Sequence, residues 1–339
     1  MTTQGKRTSW LATLLSQRSV QIIIGVWIVS ILIGYLLGAD GLPIDRPNLE
    51  GTPIIVQIVI LPVIFIVVLL PIFLGVTYFV TRKRTIPDLA SRAPERSIAR
   101  RETLLLLAYG AVMLVLGQIV GRIIYGEGIG FHLHGSIGGP TADITPGAVI
   151  GWSAYNFVAY ALIPYVVFRR RGYDHEALNL KSSDVKNDTI VILVVLSLGI
   201  LLDLASGGLL ELTGSQLLVG MPLTFVVHLF GTALPTLMFL TILLPRYLKL
   251  TGSTATMVIL GGLTYAALHI FEYWAVYDTV GNGILSVILV FQIFIGPGVI
   301  KSFLFLRTGN AWVHVWAFHV ISPHVTLDTP NIVQYFRLK

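Results

Sequence analysis

The sequence predicts an all-α fold, a polytopic integral membrane bundle of about eight or nine transmembrane helices. Of its 339 residues 55% are hydrophobic and only 12% are charged, and the mean hydropathy is +0.81. Soluble domains do not have this balance. A membrane-spanning helix needs about 20 mostly apolar residues. Roughly nine stretches satisfy this requirement, at residues 19–38, 53–80, 103–125, 146–168, 189–206, 217–245, 254–276, 284–306 and 310–326.

The charges between these stretches predict the orientation of the chain. Short loops rich in Lys and Arg remain on the cytoplasmic side of a membrane. Basic residues are concentrated in residues 1–18 and 81–101, whereas loop 39–51 is mainly acidic. We therefore expect a multi-pass plasma-membrane protein with a cytoplasmic N-terminus. Its net charge of +6 is explained by topology and contact with the lipid bilayer, not by nucleic-acid binding.

Two basic loops, 81–101 and 169–188, divide the chain by composition. We predict N-terminal transmembrane helices with cytoplasmic loops over residues 1–188 and a transmembrane core over 189–339, which holds most of the ionisable residues within apolar stretches. The absence of cysteine excludes disulfides, thiol catalysis and cysteine metal sites.

Ionisable side chains at membrane depth usually face a protein interior or a water-filled cavity. At 1.5 Å per residue, several of those in this core fall at similar depths, and imidazole with carboxylate suits zinc. The alternative is that each histidine hydrogen-bonds a neighbouring helix. The predicted metal ligands are His228, His269, His319 and His324.

Two glycine-containing segments in the first half of the chain are interpreted as structural features rather than functional sites. Gly117 and Gly121 form a GxxxG pair, which allows close packing of another helix. The glycine-rich outer loop contains His132 and His134. Two histidines cannot complete a metal site, so we expect this segment to be a mobile loop.

The segments "GTALPTLMFLTILLPRYLKLTGSTATMVILGGLTYAALHI" and "FIGPGVIKSFLFLRTGNAWVHVWAFHVISPH" resemble the core of the CPBP family, the type II CAAX-processing and bacteriocin-processing intramembrane metalloproteases. The family pattern is Glu-Glu-x-x-x-Arg, then Phe-x-x-x-His, then His-x-x-x-Asn or Asp. The similarity covers roughly the last third of the chain. The approach "FLRTGNAWVHVWAFH" is its most specific part.

The resemblance assigns the second motif to Tyr265 and His269 and the third to His319, which Pro323 follows four places later. The paired glutamates of the first motif fall on Pro235 and Thr236, so this motif is degenerate. Hydrolysis needs a general base within hydrogen-bond reach of water, and neither residue can serve as a carboxylate base.

Glu272 lies three residues after His269, on nearly the same helix face. It could replace the missing carboxylate as ligand or base. The interpretation we favour at this point places Glu272 near the outer end of its span, in headgroup water, because Tyr273, Trp274 and Tyr277 resemble an interfacial aromatic belt.

Three functions are compatible with the sequence. The missing first motif favours a degenerate peptidase that acts as a membrane scaffold or binds a membrane protein or peptide partner. The alternative is an active intramembrane metallo-endopeptidase with zinc and a rearranged catalytic site of His269, His319 and Glu272. The third is a proton-coupled transporter whose histidines relay protons.

Overall fold

The computed structural model describes residues 14–38, 41–42, 51–134, 136, 144–205 and 208–339. Within these ranges the chain is helical and contains no β-strand, which confirms the all-α fold class. Its helices are α1 Arg18–Leu37, α2 Val56–Thr81, α3 Arg96–Tyr125, α4 Pro146–Arg170, α5 Val185–Leu204, α6 Gly214–Thr251, α7 Thr254–Leu268, α8 Val280–Thr308, α9 Trp312–Phe318 and α10 Thr326–Tyr335.

Seven of these helices, α1 to α6 and α8, are long and apolar enough to cross a membrane. Large apolar side chains lie on their outer surfaces, such as Ile22, Val26 and Leu36, which are 56%, 57% and 73% exposed. An apolar exterior of this extent is stable only in contact with lipid. The chain is a multi-pass membrane protein.

The hydrophobic core is centred on the second half of α6. Leu237, Phe239 and Leu243 of this helix are buried, where α6 packs against α3, α4 and α7. Because α6 is buried on all sides over this stretch, it is hydrophobic around its whole circumference, as expected for a central helix.

Two predicted spans are shorter as helices than the hydropathy pattern indicates. The helix predicted at 254–276 ends at Leu268, and turns follow up to α8. The helix predicted at 310–326 is broken after Phe318: His319 has φ −152° and ψ −64°, and Ser322 is extended, with φ −105° and ψ 124°. Ser322 precedes Pro323, whose ring disfavours helical geometry at the preceding residue. Both breaks lie beside buried histidines.

The GxxxG pair of α3 is a close-packing site for a loop, and the Tyr155 ring of α4 also lies against Gly117. A Cβ atom at Gly121 would lie 2.5 Å from the Glu127 carbonyl oxygen and from the Ile129 nitrogen. The Ile129 N–H also donates a hydrogen bond to the Gly117 carbonyl, at 3.0 Å. The two glycines therefore allow the segment that leads to His132 to lie directly on α3.

We expect Gly121→Val to destabilise the protein by about 1–3 kcal/mol, because backbone atoms cannot move aside as a side chain can. The measurement is the free energy of unfolding in mixed micelles. Gly75→Val is the matched control, since nothing lies within 4 Å of a Cβ at Gly75 on α2. Equal stability of the two variants would contradict this packing.

Candidate metal centre

Six histidines converge inside the bundle, each at most 5% exposed. They come from the loop after α3, from α6, from the end of α7, and from α9 with the broken segment after it. These residues are His132, His228, His269, His314, His319 and His324. Their rings form a continuous series of contacts. Helix order and rotation thus bring together residues that lie far apart in the sequence.

The first group of possible metal ligands consists of His132, His269 and Glu272, whose donor atoms lie within 4.8 Å of one another. Nε2 of His269 is 3.1 Å from Nε2 of His132. Two nitrogens bound to one zinc at tetrahedral angles, each at about 2.0–2.1 Å, are about 3.3 Å apart. A carboxylate oxygen of Glu272 is 3.4 Å from Nδ1 of His132. These two contacts use different nitrogens of the His132 ring, which point apart, so the three residues are clustered potential donors that must shift slightly to share one ion.

A backbone contact orients His269 for this role. Its Nδ1 is 2.6 Å from the Tyr265 carbonyl oxygen. A carbonyl only accepts, so Nδ1 carries the proton and Nε2 of a neutral ring presents its lone pair toward His132. Metal-ligating histidines are commonly oriented by such a second hydrogen bond.

The second group consists of His228, His324 and Asp328, again with donor atoms within 4.8 Å of one another. Nδ1 of His228 is 3.1 Å from the Thr224 carbonyl oxygen, so it is the donor and Nε2 points to Asp328, 3.3 Å away. Nδ1 of His324 is 2.7 Å from the same carboxylate oxygen. Because a lone pair and a carboxylate repel each other, a cation or a proton between them stabilises this arrangement.

The two groups are adjacent. The rings of His132 in the first group and His324 in the second are 5.2 Å apart, centre to centre. Asp328 also accepts a hydrogen bond from the Ser136 hydroxyl, at 2.6 Å, so residues of the loop after α3 contact both groups. The six side chains of the two groups form one polar centre in an apolar bundle.

His319 lies beside this centre but belongs to neither group. Its ring is 5.4 Å from that of His324 and 6.0 Å from that of Tyr265. Neither of its ring nitrogens has a hydrogen-bond partner in the described part of the chain.

Of the residues singled out from the sequence, His228, His269, Glu272 and His324 are each placed in a potential ligand group. The headgroup position favoured for Glu272 is wrong. Its side chain is fully buried, and the adjacent Trp274 is only 1% exposed, so this segment turns into the bundle.

Sequence reasoning missed two members of these groups, His132 and Asp328. The expected mobile loop at His132 is instead held in the core, with Phe131 fully buried beside it. A signal for Asp328 was present, because His324 and Asp328 are four residues apart. This is the His-x-x-x-Asp spacing that the resemblance placed on His319 and Pro323.

The donor set suits zinc, which imidazole nitrogen and carboxylate oxygen bind in three-ligand sites with a further position for water. The lone-pair nitrogen of His228, 3.3 Å from an Asp328 oxygen, fits such an ion, as does Nε2 of His324, which has no hydrogen-bond partner within the described residues. A bound zinc would lower the pKa of its water and polarise a substrate oxygen. The protein's own contribution is to orient imidazoles through backbone carbonyls and to hold carboxylates beside them.

Comparison with family models, with curated proteins and with solved structures found no match to this chain.

Proposed function

We propose that this chain is a membrane-embedded, zinc-dependent hydrolase with two metal ions in adjacent sites. The observation that supports it is the pair of neighbouring His/His/carboxylate groups, both buried in the bundle. Two adjacent metal sites are a common arrangement in hydrolases, because the two ions can stabilise the attacking and leaving oxygens.

In this proposal His132, His269 and Glu272 form one site and His228, His324 and Asp328 form the other. Glu272 is the carboxylate of the first group, so it would act there either as a metal ligand or as the general base. Proton transfer by a positioned carboxylate contributes about 10² to 10⁴ in rate.

The CPBP resemblance supports a narrower form of the proposal, an intramembrane metallopeptidase with a rearranged site. Tyr265, of the second motif, contacts both His269 and His319, with ring separations of 4.4 Å and 6.0 Å. The buried Glu272 would take the place of the missing glutamates. The scaffold alternative retains the same fold and metal ligands but has no turnover.

We infer a plasma-membrane location with the N-terminus in the cytoplasm. Support comes from the alternation of loops along the chain: the basic segments at residues 81–101 and 169–171 are separated from each other by loops with few basic residues.

The experiment that tests hydrolysis uses ¹⁸O-labelled water. Zinc-loaded protein in detergent is incubated separately with a bacterial lipid extract and with single-span peptides. Hydrolysis places one labelled oxygen in a product acid or phosphate, which mass spectrometry detects. We expect labelled product from the wild type, and at least about 100-fold less from Glu272→Gln, which removes the base.

The matched control is His175→Gln, a histidine on an exposed cytoplasmic-side loop that bonds only the Tyr165 hydroxyl. It should give as much labelled product as the wild type. If zinc-loaded wild type yields no labelled product in either arm, the hydrolase proposal is wrong and a metal-binding scaffold remains.

A further inference from the structure

Lys301 is a buried cation in the middle of the apolar bundle. It lies on α8 and is 1% exposed. Its Nζ is 4.1 Å from the ring centre of Tyr265 and 5.3 Å from that of Phe318. Cation–π contacts compensate only part of the cost of removing an ammonium group from water.

Lys301 differs from the buried arginines, each of which has a polar partner: Arg307 donates hydrogen bonds to the hydroxyl and the carbonyl oxygen of Thr81. Arg246 and Arg84 are paired with Glu102 and Asp188. Within the described ranges, no carboxylate oxygen lies within 4.0 Å of the Lys301 ammonium, and it donates no hydrogen bond. A buried lysine of this kind is a site for an external anion.

The Lys301 side chain lines a cavity of about 320 Å³. The polar end of this cavity reaches the metal centre, at His132 and His324. The remaining wall is mostly apolar and comes mainly from α2, α5 and α8, with contributions from α9 and α10. Its polar members include Gln57, Gln292 and the carboxylate of Asp203, which accepts a hydrogen bond from the Thr326 hydroxyl. The apolar lining includes Leu61, Phe65, Leu69, Phe73, Leu202 and Leu327.

The apolar end of the cavity reaches the lipid-facing surface. Leu61 of α2 and Leu202 of α5 line it and are 43% and 40% exposed. These two helices pack against each other over the later part of α2, Leu70–Thr81. A ligand can therefore approach from the bilayer, between α2 and α5, and place its polar end near Lys301.

We propose that this cavity binds a phosphate-bearing lipid, with the phosphate on Lys301 and the hydrocarbon chain between α2 and α5. This inference rests on the proposed hydrolase function, because a bound lipid phosphate ester would lie beside the two potential metal-ligand groups as a substrate. The binding itself depends on Lys301 and the cavity.

The lining favours a lipid chain over an extended peptide. A peptide backbone at membrane depth needs a partner for every N–H and C=O group, and Leu and Phe side chains supply none. A hydrocarbon chain has no such requirement. An ammonium group binds phosphate as a point charge, so one lysine is sufficient to hold the headgroup.

The test measures binding of dodecyl phosphate, dodecanol and inorganic phosphate by calorimetry, on full-length protein stripped of metal with EDTA. We expect dodecyl phosphate to bind the wild type at least about tenfold more tightly than Lys301→Met, the range for loss of one charge-assisted hydrogen bond. Lys301→Arg should retain binding. Lys249→Met, at an exposed lysine near the end of α6, should match the wild type.

Equal affinity of wild type and Lys301→Met for dodecyl phosphate would overturn the proposal. So would inorganic phosphate that binds as tightly as dodecyl phosphate, because the anion would then not come from a lipid. Lys301→Met removes an unpaired buried charge and should fold at least as well as the wild type. Because this binding experiment uses metal-free protein, its result does not depend on hydrolysis, and a negative result can be told apart from a negative result in the hydrolysis experiment.

Discussion

We expect wild-type protein purified in detergent and supplied with zinc to retain two ions per chain, and His269→Gln and His228→Gln to retain one each. Each substitution removes a nitrogen donor from one group only. Glutamine keeps a polar side chain of similar size, so the bundle around it should remain folded. Inductively coupled plasma mass spectrometry after gel filtration measures the ratio of metal to protein.

The same sites contribute to stability, because an ion that binds only the folded state stabilises it. At free zinc one hundred times the dissociation constant, this amounts to about 2.7 kcal/mol per site. Chelation should therefore lower the unfolding free energy of the wild type, which has two sites, by about twice that amount. Each single variant has one site left, so chelation should lower its unfolding free energy by about that amount once.

His314→Gln is the control for this prediction. His314 is fully buried and its ring is 6.0 Å from that of His319, but it belongs to neither ligand group. We expect this variant to retain two ions. Loss of both ions from His269→Gln alone would show one shared site, and a wild type without retained zinc would contradict the metal centre.

The fold class was predictable because apolar length alone identifies membrane-spanning helices. Hydropathy does not show where a helix ends within an apolar stretch, so the end of α7 at Leu268 was missed. The break after α9 had a signal in the sequence, the Ser322–Pro323 pair, since the residue before proline is driven out of helical geometry.

The ligand groups were only partly predictable, because convergence depends on the rotation and order of the helices. His228 and His324 were recognised as ionisable residues in apolar stretches, but nothing in the sequence showed that their rings would lie 4.5 Å apart. His132 was assigned to a mobile loop because glycine surrounds it. The buried Phe131 and Leu133 on either side indicate that apolar character within the loop was the better signal.

A charged pair joins the two halves of the chain on the side predicted to be cytoplasmic. Arg246 of α6 donates two hydrogen bonds to one Glu102 oxygen on α3, from Nε at 2.9 Å and from Nη2 at 2.5 Å. Both residues are at most 5% exposed. The Tyr173 hydroxyl donates a further hydrogen bond to Glu102, at 2.9 Å.

We expect Arg246→Met to destabilise the protein by about 2–4 kcal/mol, because it leaves the buried Glu102 carboxylate with only the half-exposed Arg171, at 3.3 Å, as a cationic partner. The double variant Glu102→Leu/Arg246→Met should recover most of this loss, since well-packed apolar residues can replace a buried ion pair at little cost. Titration in mixed micelles measures both unfolding free energies. Arg100→Met, an exposed arginine on α3, should change stability by less than about 0.5 kcal/mol.

The double variant separates two explanations of the loss. Arg246 also packs over the Phe168 ring, at 4.9 Å from its centre, so its removal could act through lost packing rather than through the charge of Glu102. If packing dominates, the double variant stays as unstable as Arg246→Met. If the carboxylate that has lost Arg246 dominates, stability returns, and the pair serves to fix how α3, and with it the loop that carries His132, is positioned against α6.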